Sequence, residues 1–268
     1  MKSIDNLTFL KLGGSLITDK DKTFAIREKI INRIANEIIS ALAANPSLQL
    51  LIGHGSGSFG HLVASKHGTI HGVHTQNEWA GFYEVYYAAR TLHLKFFDIF
   101  QEVGLKCISF PPSSMVVSDN RLIVHWNIKP IERAVSAGLI PVIYGDVIFD
   151  RAINGTILST EELFRYLALH LKPKKILNAG IEEGVYKNFP LRTGIIPVID
   201  HKNIHKYSIV IDKSDSIDVT GGMKNKIQTM LNMIENNHNL EGMIFSGKEP
   251  NYISRALSGE AIGTLLKY

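Results

Sequence analysis

Short apolar runs alternate with helix-period segments along nearly the whole chain. Runs at residues 8–12, 48–52, 106–110, 139–144, 175–179 and 243–245 have the length and composition of buried strands. Between them, residues 27–44, 78–103, 131–137, 161–171 and 224–235 carry the apolar spacing of amphipathic helices. This alternation predicts an α/β fold, a three-layer αβα sandwich whose central sheet is mainly parallel and covered by helices on both faces. Local signals punctuate it. Gly104 and Gly138 follow predicted helices as left-handed caps. Ser159 and Glu162 have capping-box spacing, and Asn154-Gly155 predicts a hairpin turn. Residues 182–216 are the least regular and predict a lobe inserted between two halves of a single domain spanning 1–268.

Ligands of such sheets sit at the carboxyl ends of the strands. Three glycine motifs fall there: Gly13-Gly14, the stretch from Gly55 to Gly60, and Gly145-Asp146. The second belongs to the octapeptide His54-Gly55-Ser56-Gly57-Ser58-Phe59-Gly60-His61, which reads as a loop. Its glycines let backbone N–H groups approach a ligand, and His61 supplies a donor or a positive charge. The combination points to a small phosphorylated molecule. A glycine-rich turn with Ser58 capping a helix is the plainer reading.

Composition narrows this. The chain has 268 residues, 45% hydrophobic and 20% charged, with net charge +4. Its 29 Lys and Arg form no long run, which favours an anionic small ligand over nucleic acid. Cys107 is the single cysteine, so no internal disulfide forms; it reads as a buried, inert thiol in a reducing cytoplasm. No signal sequence or membrane-spanning run is visible, and a soluble cytoplasmic protein is expected.

The remaining chemistry-bearing residues each have a plain structural alternative. Lys11-Leu12-Gly13-Gly14-Ser15 can hold anionic oxygens beside a lysine, yet an isolated glycine pair is usually a tight turn. It matches neither a P-loop nor a dinucleotide fingerprint. Lys20 lies in Asp19-Lys20-Asp21-Lys22, which alone reads as solvated charge. Asp146 follows a buried strand, where a carboxylate needs cationic partners, and Lys11 and Lys20 are candidates. Asp218-Val219-Thr220-Gly221-Gly222 opens a helix that carries Lys226 one turn in, a second phosphate-binding pattern or an ordinary N-cap. His67, His71 and His74 with Glu78 invite a metal, but Gly68 and Gly72 break the helix and no HExxH is present, so no metal ligand is assigned. The aromatic segment 79–100 is chiefly core; its sharper reading is a wall for a hydrocarbon tail, with Tyr83 and Tyr86 as candidates.

Together, Lys11 to Ser15, Asp19-Lys20, His54 to His61, Pro141-Val-Ile-Tyr-Gly-Asp146 and Asp218-Val-Thr-Gly-Gly-Met-x-x-Lys226 resemble the amino acid kinase superfamily in order and spacing. Within it, the His54–His61 element and the segment from Gly81 to Ala88 resemble the isopentenyl phosphate kinase family, as does the Pro111-Pro112-Ser113-Ser114 turn. The resemblance implies the amino acid kinase fold, an acceptor-binding half at about 1–170 and a nucleotide-binding half at about 171–268. It implies ATP with Mg2+, a homodimer, isopentenyl phosphate as small-molecule substrate, and neither nucleic acid nor membrane as partner. By matched position it makes His61, Lys20, Lys11 and Asp146 catalytic, Asp146 orienting the lysines. Lys11, Gly13, Gly14, Ser15, Gly57, Glu183, Gly222 and Lys226 would hold the nucleotide. Gly55, Ser56, Gly60, His61 and Gly145 would line the acceptor site. The family's Thr-Asp-Val-Asp-Gly stretch near the nucleotide base reads Gly180-Ile181-Glu182-Glu183-Gly184 here, and Glu161 stands where Asp is common. A kinase of the same fold for another phosphate or phosphonate, of the fosfomycin kinase type, remains open, as does a non-catalytic ligand sensor.

Overall fold

The computed structural model describes residues 3–19, 22, 24–188, 190–207 and 222–268. Among these, an eight-stranded sheet forms the centre, in the order β10-β12-β11-β9-β1-β2-β6-β3. Its middle is β1 (Leu7–Leu12), flanked by β2 (Gln49–His54) and β9 (Lys175–Gly180), and β6 (Ile140–Tyr144) lies beside β2. These neighbours are parallel, with Lys11 opposite both Gly53 and Asn178 and His54 opposite Tyr144. β3 (Cys107–Ser109) closes one edge. At the other side β11 (Glu241–Ser246) runs parallel to β9, β12 (Thr264–Leu266) antiparallel to β11, and β10 (Val198–Ile199) parallel to β12.

Alternate residues of the central strands enter two separate cores, as the two-residue strand period requires. Phe9, Leu51 and Ile143 pack with α5 (Lys129–Ser136), α6 (Thr160–Leu171) and α7 (Gly222–Asn236). Leu10, Leu50, Ile52 and Val142 pack on the opposite face with α2 (Glu28–Ala44), α4 (Gln76–Glu102) and α8 (Tyr252–Ser258). The expected αβα sandwich is therefore present. Gly104 and Gly138 adopt φ of +90° and +76° after α4 and α5, as expected of left-handed caps. Ser159 and Glu162 form the expected capping box on α6.

Three features depart from the sequence reading. A four-stranded sheet, β5-β4-β7-β8, was not expected; it comprises β4 (Val116–Asp119), β5 (Leu122–Trp126), β7 (Asp146–Asp150) and β8 (Asn154–Leu158). Asn154 and Gly155 are not the turn of its β7–β8 hairpin but the start of β8, paired with Asp150 and Phe149. The octapeptide is mostly helix rather than loop, because α3 (Gly57–His67) begins at its fourth residue and follows α1 (Gly14–Ile17) in contact with it.

Candidate active site

The carboxyl ends of β9, β1, β2 and β6 open on one cavity. It is lined by Lys11, Gly13, Gly14, Ser15, Gly55, Ser56, Gly60, Gly145 and Asp146, joined from α6 by Glu161 and from α7 by Lys226. The three glycine motifs thus meet on one rim, as their positions after strands predicted. Two of them touch. A Cβ on Gly14 would lie 2.3 Å from the Gly57 nitrogen, and Gly57 itself adopts φ +49°, so no larger residue lets these turns pack.

Lining the cavity does not make every glycine N–H a donor to it. Gly13 donates to Ala179 O (2.8 Å), Gly55 to Leu12 O (3.0 Å) and Gly145 to His54 O (3.2 Å), which lock the loops to the sheet. Within these motifs, the cavity-lining N–H groups with no acceptor among the described residues are those of Gly14, Ser15 and Ser56, at the starts of α1 and α3.

The charges are arranged unevenly. Lys11 is 6% exposed and donates from Nζ to the Glu161 carboxylate. Burial pushes the Glu161 carboxyl up, but the positive charges of Lys11 and Lys226 and the Lys11 hydrogen bond hold it below its ordinary value. Asp146 has no such cation among its described partners. It accepts from the N–H groups of Ser113 (3.1 Å) and Val147 (2.9 Å), and the nearby hydroxyls of Ser113 and Tyr144 favour its charged form in the same direction. Burial outweighs these donors and raises its carboxyl to about 6. Among the described residues the carboxylate that Lys11 meets is that of Glu161.

Beyond the charged rim the cavity continues into an apolar pouch of Ala64 from α3, Ile70, Val85 and Ala89 from α4, and Ile157 from β8. Val85 and Ala89 are one helical turn apart and share the inward face. A cradle for anionic oxygens next to a short apolar pouch suits a phosphate ester with a small hydrocarbon tail, with room for a second phosphorylated ligand toward Lys226. Chemically it is built for phosphoryl transfer, in which positioning and charge neutralisation dominate.

Comparison with known proteins agrees. The amino acid kinase family model matches residues 6–246. The chain belongs to the amino acid kinase family. It is 37% identical to the isopentenyl phosphate kinase of Methanocaldococcus jannaschii over 98% of this chain and 99% of that protein. Identity to the isopentenyl phosphate kinase of Methanothermobacter thermautotrophicus is 31%, over 96% and 97% of the two chains. A solved structure described as "X-ray structures of isopentenyl phosphate kinase" superposes with TM-score 0.82 at 29% identity, over 98% of this chain and all of that one.

Within this member of the amino acid kinase family the remaining expected residues separate. His61 takes its place on α3, next to the cavity-lining Gly60. Lys20 and residues 218–221 lie outside the described residues. Gly57 and Gly222 do not line the cavity; Gly57 packs on Gly14, and Met223 and Lys226 are the α7 residues that face in. Glu183 is exposed, and Glu182, 3.1 Å from Arg192, lines the cavity with Ile181. Tyr83 is 63% exposed and faces solvent, so it forms no pouch wall. Tyr86 packs behind the pouch with Val73, Phe82, Val85 and Val147. The helical period explains both: the inward positions of α4 are 85 and 89, and residue 83 lies on the other side.

The histidine cluster resolves into local structure. Glu78 closes a capping box with Thr75, and His67 pairs with Glu84 at 2.7 Å. Among the described residues no group of three His, Cys, Asp or Glu side chains is placed to hold a metal. Cys107 is buried, as expected, which pushes its thiol up to about 12. Glu161, singled out in the sequence only as a departure from the family's Asp, proves to be the partner of Lys11 in the site. Its sequence signal, a carboxylate in the first turn of a helix that follows a buried strand, was absorbed by the neighbouring Ser159–Glu162 cap.

Proposed function

We propose that the chain transfers the γ-phosphoryl group of ATP to isopentenyl phosphate, giving isopentenyl diphosphate and ADP. The observation that carries this reading is the continuity of the cation-and-glycine cradle with the apolar pouch of Ala64, Ile70, Val85, Ala89 and Ile157. The relatives named above as isopentenyl phosphate kinases, aligned over nearly the whole chain, support it.

The acceptor's phosphate oxygen is already anionic, so the reaction needs no strong general base. That oxygen forms a bond to the γ-phosphorus as the bond from phosphorus to the bridging β-oxygen breaks, and ADP departs. Lys11 and Lys226 neutralise charge on the transferring group, with Glu161 fixing Lys11. The free N–H groups of Gly14, Ser15 and Ser56 supply fixed donors in a partly dry site, where they act more strongly than in water. His61 is the acceptor-phosphate donor and Lys20 a further cation in this reading. Asp146 closes the acceptor side. Mg2+ bound with ATP would supply further charge neutralisation beside Lys11 and Lys226. The donor set fits a cation held mostly by phosphate oxygens and water, since Glu161 is engaged by Lys11 and no three-carboxylate cage occurs among the described residues.

No helix among the described residues is long and apolar enough to cross a membrane. A cytoplasmic homodimer, each chain one domain with its acceptor half at about 1–170 and its nucleotide half at about 171–268, completes the proposal. An ADP-release assay with Mg-ATP and a panel of acceptors tests it. Isopentenyl phosphate is expected to give the highest kcat/KM. Turnover confined to another phosphate or phosphonate overturns the acceptor, and tight ligand binding without turnover of any acceptor overturns the kinase.

A further inference from the structure

Beneath the acceptor loop runs a buried polar chain that the transfer step does not use. His54, at the end of β2, is 1% exposed, and His93, on α4, is 2% exposed. His54 Nδ1 lies 3.2 Å from the Gly55 carbonyl oxygen, His54 Nε2 lies 3.1 Å from His93 Nδ1, and His93 Nε2 lies 2.6 Å from Ser109 Oγ. Burial keeps both rings neutral, lowering His54 to about 4 and His93 to about 2. A neutral imidazole has one N–H and one acceptor nitrogen.

That constraint fixes every proton in the chain. The Gly55 carbonyl only accepts, so His54 carries its hydrogen on Nδ1. His54 Nε2 then accepts, and His93 donates from Nδ1. His93 Nε2 accepts in turn, and the Ser109 hydroxyl donates. The reverse direction fails at its last member, because a carbonyl has nothing to give.

The chain ends on the peptide that joins Gly55 to Ser56, both of which line the cavity. In a planar trans peptide the carbonyl and the N–H leave opposite edges. Holding the Gly55 oxygen on His54 therefore turns the Ser56 N–H away from that ring. The His54 carbonyl is itself held by the Thr160 hydroxyl (2.7 Å) and the Gly145 N–H (3.2 Å). Tyr144 stacks on both rings, its centroid 4.2 Å from His93 and 5.5 Å from His54. One buried assembly thus supports the Gly55 loop and Gly145 together.

We propose that His93 is a positioning residue for the acceptor: by fixing the His54 tautomer it holds the Gly55 carbonyl and aims the Ser56 N–H at the acceptor phosphate. The proposal rests on the acceptor reading given above. The competing explanation is that the pair is only polar core packing.

Two measurements test it. The first is 15N NMR of the imidazole nitrogens in the wild-type protein at neutral pH, without substrate. Both rings are expected as neutral Nδ1–H tautomers; an Nε2–H form or a charged ring at either position overturns the proposal. This readout is independent of turnover, so failure of isopentenyl phosphate as substrate counts against the acceptor and leaves the tautomer test standing. The second compares His93→Phe, which keeps the ring volume and removes the donor, with His93→Asn, whose amide N–H takes the place of Nδ1–H. His93→Phe is expected to raise KM for isopentenyl phosphate on the order of ten-fold, the scale of one lost hydrogen bond, with KM for ATP unchanged, and His93→Asn to recover most of that loss. Equal changes in both KM values, or no difference between the two variants, contradicts the positioning role.

Discussion

Strand β7 carries a buried aspartate at each end, and the two ends serve opposite purposes. Asp150 accepts from the Ser118 hydroxyl (2.6 Å) and from the N–H groups of Asn120 (3.0 Å), Arg121 (2.8 Å), Ala152 (2.9 Å) and Ile153 (3.0 Å). Burial alone pushes its carboxyl up, but these donors prevail and hold it down to about 2. They also fix two hairpins at once, including the β4–β5 turn, where Asn120 and Arg121 adopt φ of +45° and +67°. At the other end Asp146 has fewer donors, burial wins, and the carboxyl rises to about 6. A carboxylate that builds the fold is saturated by it. One left with spare acceptor capacity, at a stability cost, faces the cavity, as expected of a group kept for a ligand.

The sharpest way to break this contrast is Asp146→Asn. It is expected to lower kcat/KM for the acceptor by about 10²-fold, the scale of one lost electrostatic contact in the transition state, while raising stability at pH 7. The sign follows from linkage. A folded pKa of about 6 against 3.8 means the ionised form is disfavoured by about 3 kcal/mol, which the amide relieves. Thermal melts beside steady-state kinetics check both directions. A variant that is active and less stable would place Asp146 with Asp150.

His61→Ala sharpens the functional side, with an expected loss of about 10² in kcat from removing a transition-state donor. A near-normal rate removes His61 from the acceptor site. Asp150→Asn should do the reverse of Asp146→Asn, costing about 2–3 kcal/mol in denaturant melts, since its folded pKa of about 2 lies below 3.8. Turnover per folded molecule should hold.

Smaller effects appear in the pH dependence of stability. Asp146 stabilises the fold as pH falls from about 7 toward 4, whereas Asp150 loses its contribution from about 4 to 2. His54 and His93 act against Asp146 in the upper window. Their depressed pKa values give stability that is full above about 6.5 and falls by about 1.4 kcal/mol per pH unit per ring below it. The difference between wild type and Asp146→Asn isolates the aspartate, and a flat difference curve contradicts its assigned shift. The smallest contrast lies on α4. Ala89→Leu should fill the pouch and raise acceptor KM about ten-fold, the scale of one misplaced apolar group. Tyr83→Ala should leave tail preference unchanged.

The sheet and its main helices were legible because long apolar periods dominate them. The run at 175–179 became β9 (Lys175–Gly180), and Ser159 with Glu162 marked the start of α6 correctly. The second sheet was hidden, since its β5 exposes Leu122 and Val124 and shows no buried run. Helix α3 was hidden by its glycines, which read as loop although Gly57 and Gly60 serve close packing and the cavity rim. In the site, the glycine motifs could be placed from their positions after strands. Which N–H groups remain free, and that Glu161 meets Lys11, depend on pairings 150 residues apart in the chain that no local pattern encodes.

The most direct measurement is 31P NMR of the wild-type enzyme with Mg-ATP and isopentenyl phosphate. Disappearance of the isopentenyl phosphate resonance, with the two coupled phosphorus signals of a diphosphate ester and stoichiometric ADP in its place, is the predicted result. ADP with free phosphate and unchanged isopentenyl phosphate would contradict the account.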